Sequence, residues 1–489
     1  MYKMNSLFYN ICMKGYKSMK KVFLFIILVA MCVTLFSCAK ETSEELQKDN
    51  SENKNEAKID LNGYKASIIR SDDENRYLMY IADSAFADSA RKKVAEIEEL
   101  LNCKIEIILS PKDTLGADVY AAVSAGMDPA EIMIADDGQY GNLGKSGLLT
   151  PMDDVRHIID YMDSAKFGTI GALESIMYNG IVYGVYPNYW PECFPGFYAP
   201  IVFNGDIMKA AVDADPREFV EQRTWTREKF AEVLEACTFN DGVKDIRALA
   251  VEPSHFINMA LAANHVNLTT KIDNEYTLEY KSQRGIDALD WARTLKVDKK
   301  HCFSLPQTKL DWWEQYRQSF YEGKAAMLMY PTWGIYGVSD TTVGYHIDNF
   351  GILPIPTGPF VEYGDWAGYI EGVGHIMTIP ITASEVEYAA HVINAMCDPL
   401  ENFETEEKRL EYYSKHLFHD LRDYELFFKM VENSRYNYWK DDGKSMINNF
   451  TGTSSKTTSE IIGMYEERFY NSVLSKFVIP NQQFIDSLN

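Results

Sequence analysis

Positive charge is scarce in this sequence: 48 lysines and arginines stand against 71 aspartates and glutamates, for a net charge of −23. A surface that acidic repels phosphate backbones, so nucleic acid is not expected among its partners. Histidine is scarce as well, with nine residues scattered over 489. None falls in a His-Glu-x-x-His pattern or beside cysteines at ligand spacing, and no calcium loop is present, so no metal and no cofactor are expected. A Gly-x-Ser-x-Gly nucleophile elbow is also missing. The phosphate-loop pattern is approached in GQYGNLGKSG, residues 138–147, but Gln139 stands where its first glycine must be and Gly138 comes one step early. That slip misregisters the cradle of backbone N–H groups. The eight cysteines contain no Cys-x-x-Cys pair. Five of them, Cys103, Cys193, Cys237, Cys302 and Cys397, lie in the body of the chain, an odd number that indicates neither a zinc site nor a disulfide framework and leaves a single bridge open. Catalysis has no signature here.

Long apolar runs are equally rare, and the one that exists lies near the start. MKKVFLFIILVAMCVTLFSCAK, residues 19–40, sets two lysines before an apolar stretch from Val22 to Phe36, then Ser37 and Cys38. Such a stretch falls short of the roughly 20 residues a membrane-spanning helix needs and suits the core of an export signal. With the small Ser37 before Cys38 it resembles a bacterial lipoprotein signal. That resemblance implies cleavage before Cys38 and lipid on the new terminus. Residues 1–18 read as an upstream extension, with Met19 as a second start. The first 37 residues hold five lysines and no acid, so a chain beginning at Cys38 is more acidic still. AKETSEELQKDNSENKNEAK, residues 39–58, is polar and without helical period, and reads as a flexible tether.

Beyond it the composition is that of a globular protein, 46% hydrophobic and 24% charged, long enough for two or three domains. Strand and helix signals alternate: LNGYKASIIRS, extended; SARKKVAEIEELLN, apolar at helical spacing and ending at Asn102; CKIEIILS, extended; ADVYAAVSAG, a helix closed by Gly126; PAEIMIADD, an apolar strand. Alternation of this kind predicts helices packed on largely parallel sheets. NGIVYGVYPNYWPECFPGFYAPIVFN, residues 179–204, breaks the rhythm and reads as a crossing between lobes. A second alternating block follows, with RTWTREKFAEVLEAC capped by Thr224 or Thr226, DIRALAVEP as a strand and GIDALDWARTL as a helix. In KLDWWEQYRQSFYEGKAAMLMYPTWG, Trp312, Trp313, Tyr316 and Phe320 share a helix face, Gly323 closes the helix, and Lys324–Tyr330 form a buried strand stopped by Pro331. Residues from Glu401 onward read as mostly helical, and no internal repeat is present.

Aromatic and carboxylate residues gather at these expected strand ends and crossings: Asp136, Asp137 and Tyr140; Tyr189, Trp190 and Glu192; Glu252 and His255; Trp333; Trp366 and Tyr369. Carboxylates accept hydroxyl hydrogen bonds and aromatic faces pack on the C–H face of a pyranose, so the set suits a sugar.

Five stretches in order, DPAEIMIADDGQYGNLGKSGLLTPMDD (with Leu149 and Met152 in its apolar places), GIVYGVYP, TWTREKF, FYEGKAAMLMYPTWG and FGILPIPTGP, resemble the extracellular solute-binding proteins of bacterial ABC importers, in particular their sugar-binding branch. The resemblance covers roughly residues 115–360. It implies an α/β fold of the two-lobed periplasmic-binding type II, each lobe a mostly parallel sheet flanked by helices, with the solute in the cleft between them. Residues 1–37 are then a signal peptide, 38–60 a tether, 61–185 plus 372–415 the N-terminal lobe, and 186–371 plus 416–489 the C-terminal lobe. Trp333 and the Asp136 region would face the cleft from opposite lobes. The implied protein is not an enzyme: it is held outside the cytoplasm on the cell membrane by lipid at Cys38, binds a small solute such as an oligosaccharide, and delivers it to a membrane permease. The alternatives are a surface glycoside hydrolase using two carboxylates, or a binder of a peptide or other polar solute with Glu192 and Glu252 as counter-charges.

Overall fold

A computed structural model describes residues 59–488 except 73–75, 192, 194–195, 199, 297–299, 304–311, 337–341, 437–443 and 452–454. The signal segment and nearly all of the tether, with Cys38, thus lie outside the described residues. Two sheets, each wrapped by helices, carry residues 60–488.

The first sheet runs in the order Cys103–Ser110, Tyr64–Ser71, Ile132–Ala135, Ile376–Thr378, Gly184–Val185. Its first three strands are parallel, with Ile68 opposite both Ile107 and Ile132, and Ile376–Thr378 returns antiparallel between its neighbours. The intervening helix Ala85–Leu101 shows why this arrangement forms. Ser84 caps its first turn by accepting from the Ala87 N–H, and Asn102 ends it in the left-handed region at φ 50°. Between them Ala87, Ala90, Val94, Ile97 and Leu101 make one buried stripe, where each large aliphatic contributes roughly 1.5–3 kcal/mol of burial.

In the second sheet the order is Phe239–Asn240, Asp245–Ala250, Ala325–Met329, Ile201–Asn204, Phe350–Leu353, with Cys302–Phe303 also paired to Asp245–Ala250. Asp245–Ala250 and Ala325–Met329 are parallel, Leu249 opposite Met327, while Ile201–Asn204 runs antiparallel. All five residues of Ala325–Met329 are buried, as a strand covered on both faces must be. The preceding helix, Trp312–Tyr321, gives way at Gly323, whose φ of 65° favours glycine. Of the two expected caps, Thr226 is the one used, accepting from the Lys229 N–H.

A third, small sheet pairs Gly196–Tyr198, Tyr369–Gly372 and Arg435–Tyr436. The chain passes between the two larger sheets through its first two strands, called the hinge strands below, and helix Ile170–Ser175 lies tight against the sheet. A Cβ at Gly171 would stand 2.2 Å from the Ser434 carbonyl oxygen. Nearby, the buried Glu174 carboxylate accepts from Arg435 Nε at 2.8 Å and from the Tyr436 N–H at 3.0 Å.

After the hinge strand Tyr369–Gly372 the chain re-enters the first lobe through Ile376–Thr378 and through helix Val386–Met396, which packs on Ala85–Leu101. Helix Leu421–Asn433 belongs to the second lobe, where Asp423, 3% exposed, receives Arg217 Nη2 at 2.8 Å and the Ile352 N–H at 3.3 Å. In the last helical run, Thr458–Phe469, Tyr470–Val478 and Ile479–Ser487, buried Asn481 accepts from the Gly180 N–H at 2.7 Å and donates to the Met177 carbonyl at 3.2 Å. No helix among the described residues is long and apolar enough to cross a membrane. Of the five body cysteines, Cys103, Cys193, Cys237 and Cys397 are buried.

Candidate functional site

In open α/β sheets ligands gather outside the carboxyl ends of the parallel strands, and three such ends are well defined here. Ile132–Ala135 delivers Asp136, which is exposed and caps the helix Asp137–Lys145 by accepting from the Gln139 N–H at 2.8 Å. Asp245–Ala250 delivers Glu252, which caps Pro253–Ala263 by accepting from the His255 N–H at 3.0 Å. Both carboxylates offset the positive N-terminal end of a helix. Each retains lone pairs beyond the one its cap uses.

Ala325–Met329 delivers Trp333, on the three-residue turn Thr332–Gly334. The residue is 61% exposed, rare for so large an apolar side chain. The turn beneath it is fixed. The Gly334 N–H reaches the Pro331 carbonyl at 2.9 Å, Thr332 Oγ1 accepts from the Phe197 N–H of the hinge at 3.4 Å, and Tyr330 meets the indole edge-on at 5.4 Å between centroids. Beneath Tyr330 sits the Arg317 guanidinium, 5.9 Å from the ring centroid, and it is ion-paired to Glu314. Neither Arg317 nor Thr332 carried a signal in the sequence, since their roles come from contacts across the fold.

Three of the expected residues are brought together. His255 Nδ1 lies 2.7 Å from the Tyr369 hydroxyl, tying the start of a second-lobe helix to the central hinge strand, with Glu252 at the same helix start. Burial pushes the Tyr369 phenol well above its usual range, and the charges of Glu371 and Glu252 add to the effect. It therefore stays a neutral hydrogen-bonding group.

Other expected residues are placed differently. Tyr140 is buried at 3% exposure, donates to the Ile176 carbonyl and accepts from the Tyr183 N–H. Trp190, at 1%, stacks on Tyr80 at 5.8 Å and donates to the Asp398 carbonyl at 3.1 Å. Trp366 is buried against Tyr363 at 5.4 Å, with Lys429 Nζ 5.5 Å from its ring centroid. All three rings are thus buried in this structure, where burial of an aromatic ring is favourable. Tyr189 is half-buried under the Arg409 guanidinium at 4.8 Å. Glu192 and the side chain of Asp137 lie outside the described residues.

The molecule also holds a cavity of about 170 Å³ that the sequence did not reveal. Helix Pro253–Ala263 presents His255 near its start and lines this cavity with Asn258, Leu261 and Ala262 farther along, so the cavity lies toward the other end of that helix. Glu174 of the first lobe, Tyr369 and Arg435 of the small sheet, and Gln482 of the last helix complete it.

The structure is similar to that of the sugar-binding protein MalE from Xanthomonas citri, at 12% identity over 83% of this chain and 96% of that one, with a TM-score of 0.54. The extracellular solute-binding protein from Staphylococcus aureus, solved in complex with maltose, gives 12% identity over 83% and 98% and the same TM-score, 0.54. The GacH receptor of Streptomyces glaucescens, solved unliganded and with acarbose, gives 14% identity over 84% and 98% and a TM-score of 0.51. At such identities the likeness is one of fold, the two-lobed type II arrangement. No curated protein sequence matches the chain. The family model described as bacterial extracellular solute-binding protein matches residues 92–403, more than half the chain, and the chain belongs to that family.

Proposed function

We propose that this protein is the capturing component of an ABC importer, anchored to the membrane by lipid at Cys38, that holds an oligosaccharide between its lobes and passes it unaltered to a permease. The observation that carries the sugar class is Trp333, a large indole face exposed on a rigid turn at a strand's carboxyl end. Asp136 and Glu252, at the ends of two further parallel strands, supply acceptors for hydroxyl groups. The proteins it resembles in fold include ones solved with maltose and with acarbose, which supports the class without fixing the sugar. Residues 61–185 and 372–415 form one jaw in this reading, and 186–371 with 416 to about 470 the other. Solute bridging the jaws favours the closed state by its differential contacts, and closure is what the permease reads.

The test is a melting assay of the soluble body against a panel of oligosaccharides, peptides and polyamines, with product analysis alongside. A saturable rise in melting temperature with an oligosaccharide and no product is the expected result. Turnover of the sugar, or stabilisation by peptides alone, overturns the reading.

A further inference from the structure

The cavity of about 170 Å³ is not accounted for by the strand ends that deliver Asp136, Glu252 and Trp333, since none of these three lines it. Leu261 and Ala262, which do, come six and seven residues after His255, roughly 10 Å farther along the axis of helix Pro253–Ala263. The lining then continues past that helix through residues 265–269. Tyr369 is shared: it lines the cavity and bonds His255.

The polar groups set what the cavity can hold. Asn258 Oδ1 is shut off from solvent and has no hydrogen-bond partner among the described residues. An acceptor left in that state is costly, and an O–H or N–H brought by an occupant satisfies it. Asn267 adds a second carboxamide, donor and acceptor together. His265 Nε2 lies 2.8 Å from the Asp365 carbonyl oxygen, which can only accept, so this nitrogen carries a hydrogen and Nδ1 is left as an acceptor in the neutral ring.

The charges cancel. Buried Glu174 is paired with Arg435, whose Nη2 also donates to Gln482 Oε1 at 3.1 Å. Gln482 Nε2 donates to Asp486 Oδ1 at 2.7 Å, and the hydroxyl of Tyr276, in the hairpin Thr269–Leu278, donates to Asp486 Oδ2 at 2.7 Å. This chain of bonds fixes one wall before anything enters, as in a preformed site. Among the described residues the lining offers an ion no unpaired charge. Buried Val266, Leu268 and Val478 supply apolar surface for the C–H face of a ring. The space fits one as well, because a cavity of roughly 150 Å³ admits a six-membered carbon ring.

We infer that this cavity is a second binding site, separate from the strand ends, for a small neutral polyhydroxylated molecule of about one sugar ring. Hydroxyls give Asn258 the donor it lacks and accept from the amide hydrogens, and a neutral occupant brings no charge to desolvate. The inference goes beyond the importer reading and does not rest on it.

Myo-inositol, glucose and galactose are the probes, titrated by saturation-transfer NMR into the purified full chain in the Trp333→Ala background, which weakens the strand-end site. The expected result is saturable binding of at least one probe with a Kd on the order of 1 mM, in keeping with so few atoms. Asn258→Leu removes the acceptor with little change in size and weakens that binding about tenfold. Its melting temperature without probe does not fall, because the lost acceptor had no partner. Ala262→Phe fills the space and abolishes the binding, whether or not Asn258→Leu folds. Absence of saturable binding by all three probes, which leaves only water in the cavity, overturns the inference. Undiminished binding in either variant, once its melting curve shows it folded, overturns it too.

Discussion

Replacing Trp333 with alanine weakens solute binding about tenfold while leaving the fold in place. A tryptophan side chain offers roughly 150–250 Å², and Trp333 keeps 61% of its surface open to solvent, so on the order of 100–150 Å² remains for a ligand to cover. One sugar face covers about half of that. At roughly 25 cal/mol per Å² the contact then contributes about 1.3–1.9 kcal/mol, a factor of about 10–25 in Kd. Stability responds far less, because the ring's buried part is chiefly its edge contact with Tyr330, and the cost is below about 1 kcal/mol. Calorimetric titration with the sugar that scores in the panel, paired with urea unfolding, separates the two effects. Trp333→Phe retains a smaller platform and loses less than Trp333→Ala. Undiminished affinity in the alanine variant, with the fold intact, removes Trp333 from the site and with it the main support for the sugar class.

Glu174→Ala leaves the Arg435 guanidinium and the Tyr436 N–H without their buried acceptor. With Arg435 partly exposed, the loss is about 3 kcal/mol in urea unfolding, and a Glu174→Leu/Arg435→Met pair recovers most of it. Asp420 is held down to about 2 by its hydrogen bond to Arg422. Its folded value lies below the unfolded one of about 3.9, so its contribution is present above about pH 4–5 and fades as pH falls toward 2. Asp420→Asn is accordingly less stable than wild type at pH 6 and converges with it near pH 2, read from melting temperature against pH.

Much of the framework was legible because it is written locally. Asn102 and Gly323 mark helix ends through their own backbone preference, and the short apolar run between Gly323 and Pro331 has the length and bounds of a strand buried on both faces. The same local reading could not separate Trp190 from Trp333. Both are tryptophans beside prolines in connections between regular elements, with the same hydrophobicity to satisfy. Trp190 is interior because of Tyr80 and the Asp398 carbonyl, the latter 208 positions away in sequence. Trp333, 61% exposed, has its ring against Tyr330, three positions earlier, just past the end of the strand. A helical period likewise predicts that residues 458–487 wind up, but which lobe they pack on depends on Asn481 meeting Gly180 across 301 positions.

The contacts that sequence alone does not reveal are thus those between segments far apart in the chain. The small sheet joins chain segments far apart in sequence, so each larger sheet forms on its own local pattern while pairs such as Glu174 with Arg435 and Tyr276 with Asp486 depend on the whole chain being folded. No window of neighbouring residues contains both partners of such a pair, which is why a local reading cannot report it.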